Sequence, residues 1–198
     1  VVYGLLLKAT TGLSPGILRS KMRRVWAFAF STASSGATLP ITLRTVEKRL
    51  GVPKSVAGFA IPLGATVNMD GTAIMQGVAT VFIAQVYGIE LSAMQLLMVI
   101  LTATLASIGT AAVPGVGLIT LSLVLTQAGL PVEGVALIIG VDRLLDMIRT
   151  AVNVTGDATV ATIVAYREGQ LDETIYNDPD ADSDMGSDAA AAESSEVS

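Results

Sequence analysis

The sequence predicts an all-α membrane protein built from two re-entrant helical hairpins and two interrupted or polar transmembrane helices, related as an inverted repeat. The first observation is hydropathy, because 52% of the 198 residues are hydrophobic and the mean hydropathy is +0.64. The second is that the long apolar runs are interrupted by Ser, Gly, Pro or Asp, and irregular backbone at membrane depth must be buried in protein or line a cavity. The third is a row of ionisable side chains on one face of the last apolar helix.

Composition excludes several kinds of site. The chain has no Cys and no His, so it has no disulfide framework, no thiolate metal site and no histidine acid or base. The net charge of −5 arises in residues 167–198, which hold ten acidic residues and one basic one, whereas residues 1–166 carry a net positive charge. We expect residues 170–198 to be a disordered acidic tail. The chain begins at Val1 without a signal peptide, and we expect it to be the C-terminal part of a longer protein.

Residues 1–24 are expected to contain the end of a preceding helix and a basic cytoplasmic link, because their apolar run is too short to span a bilayer. Residues 25–43 carry no charge and have basic residues on both flanks. Basic flanks favour the cytoplasmic side, and the stretch Ser34-Ser35-Gly36 interrupts the run at its centre. We therefore predict a hairpin that enters and leaves the membrane from the cytoplasm.

The polar sequence NMDGT at 68–72 interrupts the next apolar stretch, residues 55–89. Asp70 then lies between two apolar runs, and a helix break beside it frees backbone carbonyls that suit a hard cation. We predict a broken transmembrane span. The alternative is a turn between two helices of a soluble protein, because Asp-Gly is a frequent turn sequence.

Residues 91–132 contain no charged residue, and a Pro-Gly pair near their middle favours a turn. The stretch fits either two full spans or a second hairpin. Its flanking residues, Glu90 and Glu133, are acidic, and no basic residue is near. These flanks favour a hairpin over residues 91–130 that enters from the outside.

The polar span, residues 131–166, carries five polar or charged side chains at steps of 4, 3, 4 and 4 residues. They are Asp142, Asp146, Arg149, Asn153 and Asp157. At about 100° per residue, these steps keep all five within roughly 80° of one another. An ionisable side chain inside a membrane helix costs about 2.5–3.5 kcal/mol, so the row predicts a binding site. The alternative is a charged stripe on a soluble helix, with pairs at i to i+3 or i+4.

Four motifs follow one another along the chain: STASSGATLP, NMDGT, ASIGTAAVPGVG and GVDRLLDMIRTAVNVTGD. Together they resemble the dicarboxylate/amino acid:cation symporter family, the glutamate and aspartate transporters, over residues 1 to about 169. The resemblance implies a transport domain that moves as an elevator against a homotrimeric scaffold. It also implies that the scaffold is built from earlier helices that this chain lacks.

For the substrate, the resemblance implies that Asp146 binds an ammonium group and that Arg149 holds a side-chain carboxylate, which a guanidinium suits geometrically. The further substrate contacts that it implies are Ser34, Ser35, Thr72, Val113, Gly117, Thr150 and Asn153. For sodium, it implies oxygen ligands from Gly64, Thr66, Asn68, Met69, Asp70, Ser107, Ile108, Thr110, Asn153 and Asp157. Proton-coupled relatives depart from the Asp at position 157, which favours Na⁺ here.

The resemblance therefore implies a sodium-coupled symporter of acidic amino acids in the plasma membrane, multi-pass, with a cytoplasmic C-terminal tail. It implies neither an enzyme nor a nucleic-acid partner. Within the same fold, the alternatives are a proton-coupled symporter and one for C4-dicarboxylates or neutral amino acids. A membrane aspartyl protease using Asp70 and Asp142 needs a Gly where Val141 stands. A channel or a structural bundle is the remaining alternative.

Overall fold

A computed structural model of the chain describes residues 1–108 and 110–181. This part of the chain is helical and without strands, which confirms the predicted all-α class. Its helices are α1 (Val2–Thr11), α2 (Pro15–Thr32), α3 (Ser35–Lys48), α4 (Lys54–Val67), α5 (Asp70–Val86), α6 (Ala93–Ser107), α7 (Val116–Ala128), α8 (Ala136–Arg167) and α9 (Glu173–Asn177), with a 3₁₀ turn at Val132–Val135 before α8. Among them, no helix combines the length and the apolar content needed to cross a membrane.

Helices α2 and α3, called here the first helix pair, pack against each other across a sharp break. Ala33 ends α2 in the left-handed region, with φ 49, and the Ser34 hydroxyl caps α3 by accepting from the Ala37 N–H at 3.1 Å. The break therefore lies in the serine-rich stretch where the sequence predicts it. The helices themselves extend well beyond residues 25–43, and the re-entrant path through a membrane stays a prediction.

The basic residues before residue 25 belong to α2, and the cytoplasmic position of this link stays a prediction. Lys21 in particular is fully buried rather than exposed to solvent. Its ammonium reaches three backbone carbonyls, and these hydrogen bonds offset part of the cost of burying a charge.

Two further breaks lie where polar or Gly-rich motifs interrupt the apolar runs. Between α4 and α5 the helix stops at Asn68 and resumes at Asp70, inside the NMDGT sequence. Helices α6 and α7, called here the second helix pair, are separated by residues 108–115, and Gly115 adopts φ 77 just before α7 begins. Both breaks bring irregular backbone towards the middle of α8.

Helix α8 packs against α1 to α5 and α7, and its polar face lies inside the protein. One hydrophobic cluster fills the space between α8 and the first helix pair with α4, around Met22, Val46 and Ala158. A second cluster joins α5 to the second helix pair, around Ile83 and Leu121. The polar row of α8 runs between these two clusters.

The prediction of disorder from residue 170 is wrong for residues 170–181, and residues 182–198 lie outside the described part. Asp172 caps α9 by accepting hydrogen bonds from the N–H groups of Thr174 and Ile175. Tyr176 is fully buried in the first hydrophobic cluster. One aromatic side chain thus anchors a segment whose average composition is acidic and polar.

Candidate functional site

The centre of the site is an ion pair within α8. Arg149 and Asp146, three residues apart on one helix face, are each 5% exposed. The Arg149 Nη2 lies 2.6 Å from Asp146 Oδ1, and Arg149 Nε donates to the same oxygen at 3.1 Å. Asp142 adds a second carboxylate one turn earlier, 3.8 Å from Nη2. Burial in a helix bundle makes each of these charges depend on its partner.

The tips of the two helix pairs meet above this ion pair. The Gly115 N–H, at the start of α7, donates to Asp146 Oδ2 at 2.8 Å. The Ala112 carbonyl accepts from the Ser34 hydroxyl at 2.6 Å and from the Gly36 N–H at 3.1 Å. Three hydrogen bonds therefore hold the tips against each other and against α8.

A small cavity of about 20 Å³ lies between these groups, with room for about one water molecule. Eight of the nine predicted substrate residues line it. They are Ser34, Ser35, Thr72, Val113, Asp146, Arg149, Thr150 and Asn153. The remaining predicted residue, Gly117, faces Arg149 so closely that a Cβ added there would collide with the guanidinium.

Two buried polar atoms of this site have no hydrogen-bond partner within the described residues. They are Arg149 Nη1 and Asp142 Oδ1. A buried guanidinium N–H without an acceptor costs free energy, because it has lost its hydration and gained nothing in return. The site therefore presents a free charged donor directly beside a carboxylate acceptor.

A second polar group lies along α8 toward its C-terminal end. Asp157 is 3% exposed, and its Oδ1 accepts from Asn68 Nδ2 at 2.8 Å. Gly64 of α4 touches the same carboxylate, and a Cβ there would overlap it. Asn68 Nδ2 lies between the Asp157 carboxylate and the Asn153 main-chain carbonyl, and oxygen atoms of these two kinds are ligands that fit a hard cation such as Na⁺.

Asn153 lies between the two groups. It lines the cavity, while its Oδ1 accepts from the Gly71 N–H at 2.8 Å and its Nδ2 lies 3.1 Å from Met69 Sδ. Asn68 Nδ2 also lies 3.4 Å from the Asn153 carbonyl oxygen. The broken span and the polar face of α8 are therefore connected through two amide side chains, those of Asn68 and Asn153.

The remaining predicted sodium ligands are less closely joined to one another than the residues around Asp157 are. Ser107 and Thr110 are buried at the tip of the second helix pair, and Thr110 lines the cavity. Thr66 is exposed and donates to the Leu63 carbonyl, while Ile108 is 50% exposed. No contact in the described part brings Thr66 and Ile108 together, so the second predicted sodium site stays a prediction.

Sequence reasoning missed two contacts of this region. The Tyr3 hydroxyl donates to Asp70 Oδ2 at 2.7 Å, across 67 residues of sequence. Arg143 donates from Nη2 to the Ser31 carbonyl at 3.2 Å, close to the C-terminal end of α2. Neither residue carries a local signal, because each partner lies on a helix distant in sequence.

Comparisons with known proteins agree with the motifs. The model of the sodium:dicarboxylate symporter family matches residues 1–167. The chain is 52% identical over 169 residues to an excitatory amino acid transporter of Caenorhabditis elegans, covering 85% of this chain and 34% of that protein. It is 52% identical over 152 residues to human excitatory amino acid transporter 2, covering 77% of this chain and 26% of that protein.

Human excitatory amino acid transporter 1 is 45% identical over 166 residues, covering 84% of this chain and 31% of that protein. The chain thus spans about a third or less of the length of these relatives. The matching family is one of symporters, which confirms the prediction that the chain is not an enzyme. Since the match covers nearly all of residues 1–169, as the four motifs predict, this chain belongs to the sodium:dicarboxylate symporter family.

Proposed function

We propose that this chain is the substrate-binding and sodium-binding part of a membrane symporter for acidic amino acids. The observation that carries the proposal is the buried Arg149, with Nη1 free and Asp146 beside it, at the meeting point of two helix-pair tips. Names of relatives such as excitatory amino acid transporter support the same substrate class.

An acidic amino acid fits this pair because it carries complementary charges. Its side-chain carboxylate can take the place of Asp146 on the Arg149 guanidinium, which binds carboxylates through two parallel hydrogen bonds. Its ammonium group can then bind the Asp146 carboxylate that is released. Its second carboxylate can accept from N–H groups at the N-terminal ends of α3 and α7 once their present partners have moved away, and the helix dipoles favour an anion there.

Substrate entry requires the helix-pair tips to separate, because a cavity of about 20 Å³ is far smaller than an amino acid. We propose that the second helix pair moves. Both helices of the first pair pack against α8, whereas α6 packs on α5 and α7 instead. Opening then breaks the Gly115 bond to Asp146 and the two bonds of the Ala112 carbonyl.

Sodium is proposed to bind at Asp157 with oxygen atoms of Asn68, Gly64 and Asn153. A bound cation stabilises the buried carboxylate and fixes the Asn153 side chain, which also lines the substrate cavity. Cation and substrate then favour each other's binding, as thermodynamic linkage requires. The further ligands Thr66, Met69, Asp70, Ser107, Ile108 and Thr110 belong to the same proposal.

The membrane setting is supported by the outer surface of the helices. Large apolar side chains are widely exposed there, for example Phe59 at 71%, Leu105 at 70% and Val78 at 66%. Soluble monomers rarely expose contiguous apolar patches of this kind. We propose that lipid and a homotrimeric scaffold cover these faces in a multi-pass plasma-membrane protein, with elevator movement and a cytoplasmic C-terminal tail.

The test is uptake of labelled aspartate, glutamate, serine and succinate by the full-length protein in proteoliposomes, with and without a sodium gradient. We expect sodium-dependent uptake of aspartate and glutamate, without uptake of serine. Uptake of succinate in preference to both amino acids would support the C4-dicarboxylate alternative instead. Uptake driven equally well by a proton gradient without sodium would contradict the cation assignment.

A further inference from the structure

Lys21 is a buried cation that the substrate and sodium sites do not use. Its side chain is 0% exposed, and all three of its hydrogen-bond acceptors are main-chain carbonyls. Its Nζ donates to Arg49 O at 2.6 Å, Ile175 O at 2.6 Å and Tyr176 O at 2.8 Å. The ammonium of α2 therefore joins the C-terminal ends of α3 and α9, where free carbonyls and the helix dipoles favour a positive charge.

Tyr176 holds the same segment by its side chain. Its ring is fully buried in the first hydrophobic cluster and lies 5.8 Å from the Lys21 ammonium, within the range of a cation–π contact. Its hydroxyl donates to the Ser14 carbonyl, just before α2, at 2.9 Å. The segment is therefore anchored to the start of α2 and, through Lys21, to the end of α3.

Two more contacts join the C-terminal segment to the end of α3. The Asp172 N–H donates to the Gly51 carbonyl at 2.9 Å, and a Cβ on Gly51 would overlap the Asp172 backbone. Arg49 Nε donates to Ala181 O at 3.1 Å. None of these residues lies in the cavity at the other end of the first helix pair.

We propose that residues 171–181 form a clasp that holds the base of the first helix pair together, with Lys21 as its positioning residue. The base consists of the start of α2 and residues 45–52, which comprise the last turn of α3 and the residues directly after it. In the proposed symporter, this clasp keeps the first helix pair closed while the second pair opens. That consequence rests on the proposed function, whereas the clasp itself does not.

The chemistry makes the contacts depend on one another. A buried ammonium depends on all of its acceptors. Each hydrogen bond that it loses leaves an N–H group with neither water nor protein to bind, which costs free energy. Burial and, second, the nearby Arg49 lower the pKa of Lys21 to about 8, while Asp178 acts in the opposite direction. Undocking of α9 therefore weakens the hold of Lys21 on the end of α3 as well.

Hydrogen exchange measured by mass spectrometry on the full-length protein in detergent tests the clasp. We expect residues 45–52 and 171–177 to exchange slowly in the parent protein. In Lys21→Met, both segments should exchange at least tenfold faster. Lys48→Met is the matched control, because Lys48 is exposed in the last turn of α3, and both segments should keep their parent rates.

Tyr176→Ala is the sharper variant and also serves if Lys21→Met fails to fold. The Tyr176 hydroxyl bonds to Ser14, and its ring lies in the hydrophobic cluster that also contains Val46 and Leu50, so its loss should release residues 45–52 together with the C-terminal segment. We expect at least tenfold faster exchange at residues 45–52 in this variant. Faster exchange confined to residues 171–177, or no change in either segment, would overturn the proposal.

Discussion

Replacing Arg149 by Cys tests the substrate assignment most directly. The guanidinium is 5% exposed and binds Asp146 at 2.6 Å. If it is removed, water cannot take its place as the partner of a bound carboxylate. Removing one partner of a buried, hydrogen-bonded charge pair costs about 2–5 kcal/mol. We therefore expect Arg149→Cys to weaken aspartate binding by roughly 30-fold to 5,000-fold. Serine should then bind, because the Asp146 carboxylate remains for its ammonium group and no buried guanidinium is left without an acceptor.

Arg143→Cys provides a matched control on the same helix. Arg143 is exposed and makes one bond to the Ser31 carbonyl outside the cavity, which is worth about 1 kcal/mol. Aspartate affinity should fall by about fivefold at most in this variant. The assay is equilibrium binding of labelled aspartate to the purified full-length protein at saturating sodium. Unchanged affinity in Arg149→Cys, or equal losses in both variants, would refute the assignment of Arg149.

The remaining predictions concern the cation and the topology. Asp157→Asn should keep the hydrogen bond from Asn68 but lose the negative charge. The rise of aspartate affinity with sodium concentration should therefore become much shallower, and an equally steep rise would exclude Asp157 from coupling. Gly64→Ala should also weaken the sodium dependence, because the Cβ of the new alanine overlaps the Asp157 carboxylate. Alanine itself favours the helix by up to about 1 kcal/mol. Normal sodium dependence with an intact fold would contradict the contact. Single cysteines at Arg19 and Lys48 should react with an impermeant thiol reagent from the same side, and one at Glu90 from the other; labelling of the first two from opposite sides would contradict the re-entrant hairpin.

Much of the fold could be predicted because the signals are local. The helix breaks at Ser34 and at Asn68 follow from polar and small residues that interrupt apolar runs within a few positions. The polar face of α8 follows from the helical period alone, since a regular helix fixes which side chains share a face. Asp146, Arg149 and Asn153, which the helical period places on one face, line one cavity in the structure, and their role in substrate binding stays a prediction.

Other features required the tertiary structure, because they join residues far apart in sequence. No local pattern indicates that Tyr3 donates to Asp70, or that Ala112 accepts from Ser34. The acidic composition of the C-terminal segment led to a wrong prediction of disorder for residues 170–181. Composition is an average over many residues, whereas burial of the single side chain of Tyr176 is enough to fix this segment.

The sequence by itself determined the helical class, the break points and the set of polar residues on α8, since periodicity and chain breakers act over a few residues. Only the tertiary structure decided that Asp146 neutralises Arg149 beneath the two helix-pair tips, and that Lys21 is buried against α9. The physical reason is that the stability of a buried charge depends on acceptors brought to it by folding. For Lys21 these acceptors are as many as 155 residues away along the chain.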